Sequence, residues 1–146
     1  LNSRRVRYLV IGGYAAITYG IGRLTKDVDL FVSPDVRNAE RLLTALKDIE
    51  FGTAHLITAE GLFAKPITIF NDYFRVDVLT AVPGLEFEAA WARRTVKRID
   101  GVRVSMVHID DLIQSKRAAG RPVDLEDVRV LEMIRDKQLE RPTTQE

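Results

Sequence analysis

The sequence predicts an α+β fold, a mixed β-sheet with helices packed mainly on one side and a short C-terminal helix pair. Three observations carry that reading. Apolar runs of strand length alternate with segments of helical periodicity along most of the chain. Two pairs of strand-like runs are joined by turn dipeptides, Asn71-Asp72 and Asp100-Gly101, which makes each pair a hairpin. Beyond "VRVSMV" only helical patterns remain.

Each element follows from its local signals. "VRYLVIG" (6 to 12) is a buried strand, and Gly12 and Gly13 lead it into "YAAITYG", a short helix closed by Gly20. "DVDLFV" (27 to 32) is the next strand. Ser33 and Pro34 stop it and open "DVRNAERLLTALKDI", where Val36, Ala39, Leu42, Leu43, Leu46 and Ile49 recur at helical spacing. After a weakly patterned stretch come the strands "PITIF" and "YFRVDVLTAV", then the helix "FEAAWARR" and the hairpin "TVKRI"/"VRVSMV". Two helices close the chain: "DDLIQSKRAA" and, after "GRPV", a helix that begins at Asp124 and runs through "LEDVRVLEMIRDKQL". The tail "RPTTQE" is expected to fray.

The length of 146 residues suits one domain, with residues 1–108 as the core and 109–146 as a helix pair packed on it. With 22 basic and 21 acidic residues, no global charge points to nucleic acid or a membrane surface, so such a partner would need a local patch. Without cysteine there are no disulfides or thiolate metal sites, and His55 and His108 are too few for a histidine-built zinc site. A metal here would be held by carboxylates. No apolar run approaches the roughly 20 residues of a membrane helix, and a cytoplasmic location is expected. The first residue is Leu1 rather than methionine, so the numbering is expected to start inside a longer gene product or after processing.

Asp27 and Asp29 occupy i and i+2 of one strand and therefore share a face, opposite Val28, Leu30 and Val32. Asp27 alone would read as a turn cap or an ion-pair partner of Arg23, Lys26 or Arg75. Two like charges side by side need a compensating cation, and Asp77 in "FRVDVL" offers a third carboxylate in a similar strand. If those strands are neighbours, three hard oxygen donors converge, a set suited to Mg2+, and two such ions can clamp a phosphoryl transfer. Repulsion among the three acids predicts that removing the charge of Asp77 would spare or raise stability. Gly12 and Gly13, at a strand-to-helix turn, let backbone N–H groups approach a phosphate. A tight bend is the plainer reading of that pair.

Taken together, "VIGGYAAITYGIGRLTKDVDLFV", the later "VDV" and the C-terminal "SKRAAGRPVDLEDVRVL" resemble the nucleotidyltransferase superfamily, the fold of DNA polymerase beta. The nearer resemblance is to the bacterial branch of AbiEii-type toxins and minimal nucleotidyltransferases. Gly12, Gly13, Arg23, Thr25, Asp27 and Asp29 match its first motif, Asp77 its third acid, and Lys116, Arg121, Asp124 and Asp127 its last.

The resemblance implies transfer of a nucleoside monophosphate from an NTP, with Mg2+ or Mn2+ on Asp27, Asp29 and Asp77, to an RNA, protein or small-molecule acceptor. It also implies that Gly12, Gly13, Arg23, Thr25 and Lys116 belong to the nucleotide and phosphate site. For Lys116 a solvated helix lysine is the competing reading, and for Arg23 bracing of the aspartates is preferred. Asp124 reads as an N-cap, with Asp127 completing a capping-box pattern. The cluster Arg93, Arg94, Lys97, Arg98 and Arg103 reads as the solvated face of a hairpin rather than an RNA contact. A toxin would have a cognate antitoxin; that partner or a homodimer would cover the apolar residues set around the last helix, Leu125, Val128, Leu131, Met133, Ile134 and Leu139. The alternative to an enzyme is a catalytically silent module that binds a nucleotide or a partner.

Overall fold

The computed structural model describes residues 1–22, 25 and 27–140. Among them a six-stranded sheet runs in the order β3-β4-β2-β1-β6-β5. Its strands are β1 (Tyr8–Ile11), β2 (Asp27–Val32), β3 (Ile67–Asn71), β4 (Arg75–Leu79), β5 (Thr95–Ile99) and β6 (Val102–Met106). The helices are α1 (Gly12–Tyr19), α2 (Val36–Asp48), α3 (Phe87–Ala92), α4 (Ile109–Ala119) and α5 (Pro122–Glu140). The sheet is mixed: β1 pairs antiparallel with β2 and parallel with β6, and β2 pairs parallel with β4. Both expected hairpins form, β3–β4 and β5–β6. Asp100 and Gly101, with φ of 52° and 80°, supply the paired positive φ that a two-residue hairpin loop needs.

Helices sit mainly on one face. The side chains of Asp27, Asp29 and Phe31 alternate with those of Val28, Leu30 and Val32 along β2, and each set faces its own layer. On the aspartate side Phe31 meets Phe87 of α3 edge to face at 5.2 Å, and α4 packs against α1 and α5. α2 covers the other side, where Ala45 and Leu46 share an apolar cleft with Tyr8, Val10, Leu30 and Val76. Asp35 caps α2 by accepting from Asn38 N–H at 2.8 Å. The buried Asn38 then ties both ends of the β1–β2 step together, accepting from Arg7 N–H and donating to the carbonyls of Arg7 and Ser33. Val36 and Ile49, expected on the core face of α2, are exposed at its ends.

The weakly patterned stretch folds into two 3-10 turns, Gly52–Leu56 and Glu60–Phe63, which bury Ala54 and Leu62. The last helix begins two residues earlier than its sequence suggests, because Pro122 takes the first helical position, where its missing N–H is no loss. The tail "RPTTQE" lies outside the described residues. No described helix is long and apolar enough to cross a membrane.

Candidate active site

Three strands place the candidate residues in a row. Asp29 of β2 is the direct partner of Ile11 in β1 and of Asp77 in β4, so Ile11, Asp29 and Asp77 line up across the sheet, with Gly12 the next residue along the chain. Asp27, two residues before Asp29, partners Arg75, two residues before Asp77. The period of two that puts the paired aspartates on one face puts Arg75 and Asp77 on that face as well. The four side chains, three acids and one guanidinium, open into a pocket of about 580 Å³.

Gly12 is required by this arrangement. Its φ is 69°, and a β-carbon there would lie 2.1 Å from Asp29 Oδ2. The chain leaves β1 through a left-handed residue pressed against the central carboxylate, which no side chain permits. Gly13 differs: a β-carbon on it would meet Thr25 Oγ1 at an ordinary 3.5 Å. The Thr25 hydroxyl accepts from Asp27 N–H at 3.3 Å, holding the start of β2. Arg23 lies outside the described residues.

The electrostatics are uneven. Arg75 grips Asp77 with both arms, Nε to Oδ1 at 2.8 Å and Nη2 to Oδ2 at 3.1 Å, and its Nε lies 3.8 Å from Asp27 Oδ2. Among the described residues Asp29 has no such grip. Its carboxyl is raised to about 6, first by burial and then by the charges of Asp77 and Asp27, against the weaker pull of Arg75 and Lys116. The repulsion expected among the three acids is unevenly shared: Arg75 pairs with Asp77 and approaches Asp27, and Asp29, raised in part by the charges of Asp77 and Asp27, carries most of it. Asp27, Asp29 and Asp77 are all hard oxygen donors of the kind Mg2+ takes, and the surplus at Asp29 is what a cation would relieve. Among the described residues no three acidic or histidine side chains are already gathered as a metal cage.

The opposite wall belongs to the last two helices. Lys116 of α4 is not a solvated lysine: it is 7% exposed, with Nζ 3.0 Å from Asp127 Oδ2 and 3.8 Å from Asp124 Oδ1. Arg121 clamps Asp124 with Nε at 2.6 Å and Nη2 at 3.2 Å while its own side chain stays largely exposed. Asp124 is not the N-cap expected from sequence. It sits in the first turn, completely covered, and its side chain reaches back to Arg121 N–H at 3.3 Å, the rear half of a capping box. Burial by itself would lift the Asp124 carboxyl; Arg121, by hydrogen bond and charge, and Lys116 together hold it below the ordinary value. Lys116, Arg121 and Asp124 line the same pocket as the acids, as do Ile67, Leu79, Val82 and Pro83 on the β3–β4 side.

Of the basic cluster, Arg93 and Arg94 belong to the end of α3 rather than to the hairpin. Arg93 pairs with the buried Asp111 at 2.9 Å, and Arg94 stacks on Trp91 at 3.9 Å. Lys97 lies over Tyr19 and Arg98 donates to Gly101 O. The pocket residue that sequence reasoning undervalued is Arg75, whose i−2 spacing from Asp77 on a strand was the available signal.

Known proteins share this architecture. Residues 1–142 match a family model described as "Nucleotidyltransferase of unknown function (DUF6036)". Among solved structures, the chain is similar to the lincosamide antibiotic adenylyltransferase LnuA in its lincomycin-bound form. That match has a TM-score of 0.54 at 12% identity, covering 91% of this chain and 90% of that one. It is also similar to an antigenic nucleotidyltransferase-like protein from Paracoccidioides brasiliensis, with a TM-score of 0.54 at 18% identity, covering 90% and 69%. At these identities the likeness is one of fold. No curated protein matches at the sequence level.

Proposed function

The chain belongs to this family of nucleotidyltransferases, and we propose that it moves a nucleoside monophosphate from an NTP to an acceptor, with Asp27, Asp29 and Asp77 holding Mg2+ or Mn2+. The observation that carries the reading is the register of Asp29 beside Asp77, with Gly12 pressed against Asp29 at the head of α1. When bound there, the metal would supply Lewis-acid polarisation of phosphate oxygens.

The chain's own groups divide the remaining work. Asp29, raised to about 6, is ionised at neutral pH and presents an uncompensated charge to a cation. The N–H groups of Gly12 and Gly13 and the hydroxyl of Thr25 border the pocket where the triphosphate would lie. Arg121 and Lys116 face it from the helix pair and offset phosphate charge. An oxygen of the acceptor forms a bond to the α-phosphorus while the bond to the leaving pyrophosphate breaks, and Asp77 takes the acceptor's proton and passes it to solvent. Ile67, Leu79, Val82 and Pro83 flank Asp77 and give the acceptor side an apolar wall. The acceptor is an RNA, a protein or a small molecule.

Incubation with α-labelled NTP, Mg2+ or Mn2+, and total RNA, protein and metabolites tests this. Label should appear on one acceptor class with the native chain and vanish with Asp29→Asn. The bidentate hold of Arg75 on Asp77 favours a second reading, a silent nucleotide-binding module; nucleotide binding without transfer under every metal and acceptor would establish it.

The AbiEii-type branch and a toxin role rest on the motifs around Gly12, Asp27 and Lys116. As a toxin the protein would arrest growth when induced alone, and Asp29→Asn would abolish the arrest. Of the apolar residues expected to await a partner on α5, Val128 and Leu131 are instead buried in the core and Ile134 packs against it; an antitoxin or a second copy would cover Leu125, Met133 and Leu139, which are exposed.

A further inference from the structure

We infer that a second site, at the far end of the sheet from the aspartates, binds the sugar–phosphate backbone of a nucleic acid strand. Arg4 and Arg5, just before β1, and Arg37 and Arg41, on the outer face of α2, surround a recess of about 430 Å³. All four are exposed. Arg4 is held by Asp48 at 2.7 Å, whereas Arg5, Arg37 and Arg41 make no ion pair or side-chain hydrogen bond among the described residues. Glu40 is the acidic residue of the lining.

Local rules disfavour this cluster. Arg37 stands in the first turn of α2, where the helix dipole disfavours a cation; the Asp35 cap already supplies the anion of that end. Arg37 and Arg41 are i and i+4, neighbours of like charge on one face. Arg5 adds a third charge from a left-handed backbone, φ 58°. Four exposed arginines from two elements thus converge on one recess against the single acid Glu40. An anion there would offset their mutual repulsion and meet the guanidinium forks.

The recess selects a backbone rather than a base or a single phosphate. It has no aromatic ring to stack a base, its other members being Ser3 and Thr44. From Arg37 to Thr44 the helix advances roughly 10 Å, long enough to face more than one phosphate of a strand. Planar arginines on two elements suit a row of phosphates read without regard to sequence. The near-zero net charge of the chain makes such attraction local, to this face. Arg5 precedes β1 and Gly12 follows it, and the recess shares no lining residue with the aspartate pocket, so the two are separate and the inference does not rest on the transfer reaction.

The test uses the full chain with chelator present and no NTP. A fluorescent 20-mer, as RNA, as single-stranded DNA and as duplex, is titrated from 50 to 200 mM salt. The combined variant Arg5→Ala, Arg37→Ala, Arg41→Ala should bind at least tenfold more weakly at 50 mM salt. Its log–log salt slope should be shallower by about 2 for a single strand. The corresponding triple lysine variant should keep most of the slope, and equal thermal melts should show all forms folded. Whichever strand binds most tightly names the source of the backbone. Absence of binding by the native chain at 50 mM salt, or an alanine variant with native slope and affinity, overturns the inference. So does a polyglutamate peptide that displaces the strand at equal charge concentration, which would make the surface a site for an acidic protein.

Discussion

Asp29 and Asp77 are direct partners in the parallel β2–β4 ladder, yet among the described residues it is Asp77 that holds the guanidinium of Arg75 in a direct ion pair, at 2.8 Å. Two carboxylates in the same strand position thus carry different burdens. Asp29 is the one raised to about 6.

The first prediction follows from that asymmetry. A carboxyl raised in the folded state from 3.8 to about 6 binds protons that the unfolded chain has already released, so metal-free stability should fall as pH rises from about 4 to about 6. A raise of this size corresponds to up to about 3 kcal/mol, which solvent access reduces to roughly 1–2 kcal/mol. Asp29→Asn should therefore melt roughly 3–8 °C above the native chain at pH 7.5 with chelator, and at the same temperature at pH 3.5. A lower melting point at pH 7.5 would mean that Asp29 is held by partners rather than strained.

Arg75 should compete with metal. Removing it in Arg75→Ala leaves Asp27 and Asp77 without their cation, so the metal-free protein should melt lower. Mn2+ alone should then bind several-fold more tightly and restore more of the lost melting temperature than it adds to the native chain. Titration calorimetry and melts with and without Mn2+ read both effects; unchanged Mn2+ affinity would make Arg75 a bystander to the metal.

The two glycines should separate sharply. Gly12→Ala forces a β-carbon into Asp29 and keeps a left-handed φ, and should lose about 2 kcal/mol or more. Gly13→Ala finds ordinary contact at 3.5 Å inside a helix and should be neutral or gain up to about 1 kcal/mol. Urea unfolding of the pair measures the difference, and equal midpoints would contradict the close approach of Gly12 to Asp29.

Much of this site is legible in the sequence, for reasons that also mark where reading stops. Asp27 and Asp29 can be assigned to one face because a strand repeats every two residues. That Asp77 lies exactly beside Asp29 depends on how β2 and β4 pair, and strand pairing across 40 residues leaves no local mark. Lys116 was ambiguous as a lone lysine, but Leu112, Ile113 and Lys116 fall at i, i+1 and i+4, the buried face of α4. α5 starts at Pro122 and not at the cap-like Asp124, because a proline suits the first helical position. The arginine recess needs a turn before β1 and a helix after β2 to meet, which no window of sequence contains.

Asp124 bears more than a cap would. It is covered, clamped by Arg121 and shared with Lys116, so Asp124→Ala leaves Lys116 with Asp127 and frees Arg121 to solvent. A loss of roughly 2–3 kcal/mol is expected, beyond the roughly 0.5–2 kcal/mol of an N-cap and below the roughly 3–5 kcal/mol of a buried charge left without any partner. Asp124→Asn, which keeps the hydrogen bonds and drops the charge, should recover part of it. Chemical denaturation distinguishes the two, and a loss within the N-cap range for Asp124→Ala would return the residue to a capping role.

The most direct test of the nucleotidyltransferase reading follows two labels from one NTP. With Mg2+ or Mn2+ and the acceptor present, label on the α-phosphate should become bound to the acceptor while label on the γ-phosphate leaves in pyrophosphate, and both events should be lost together in Asp29→Asn. Transfer of the γ-label to the acceptor, or α-label transfer that survives in folded Asp29→Asn, would contradict the account.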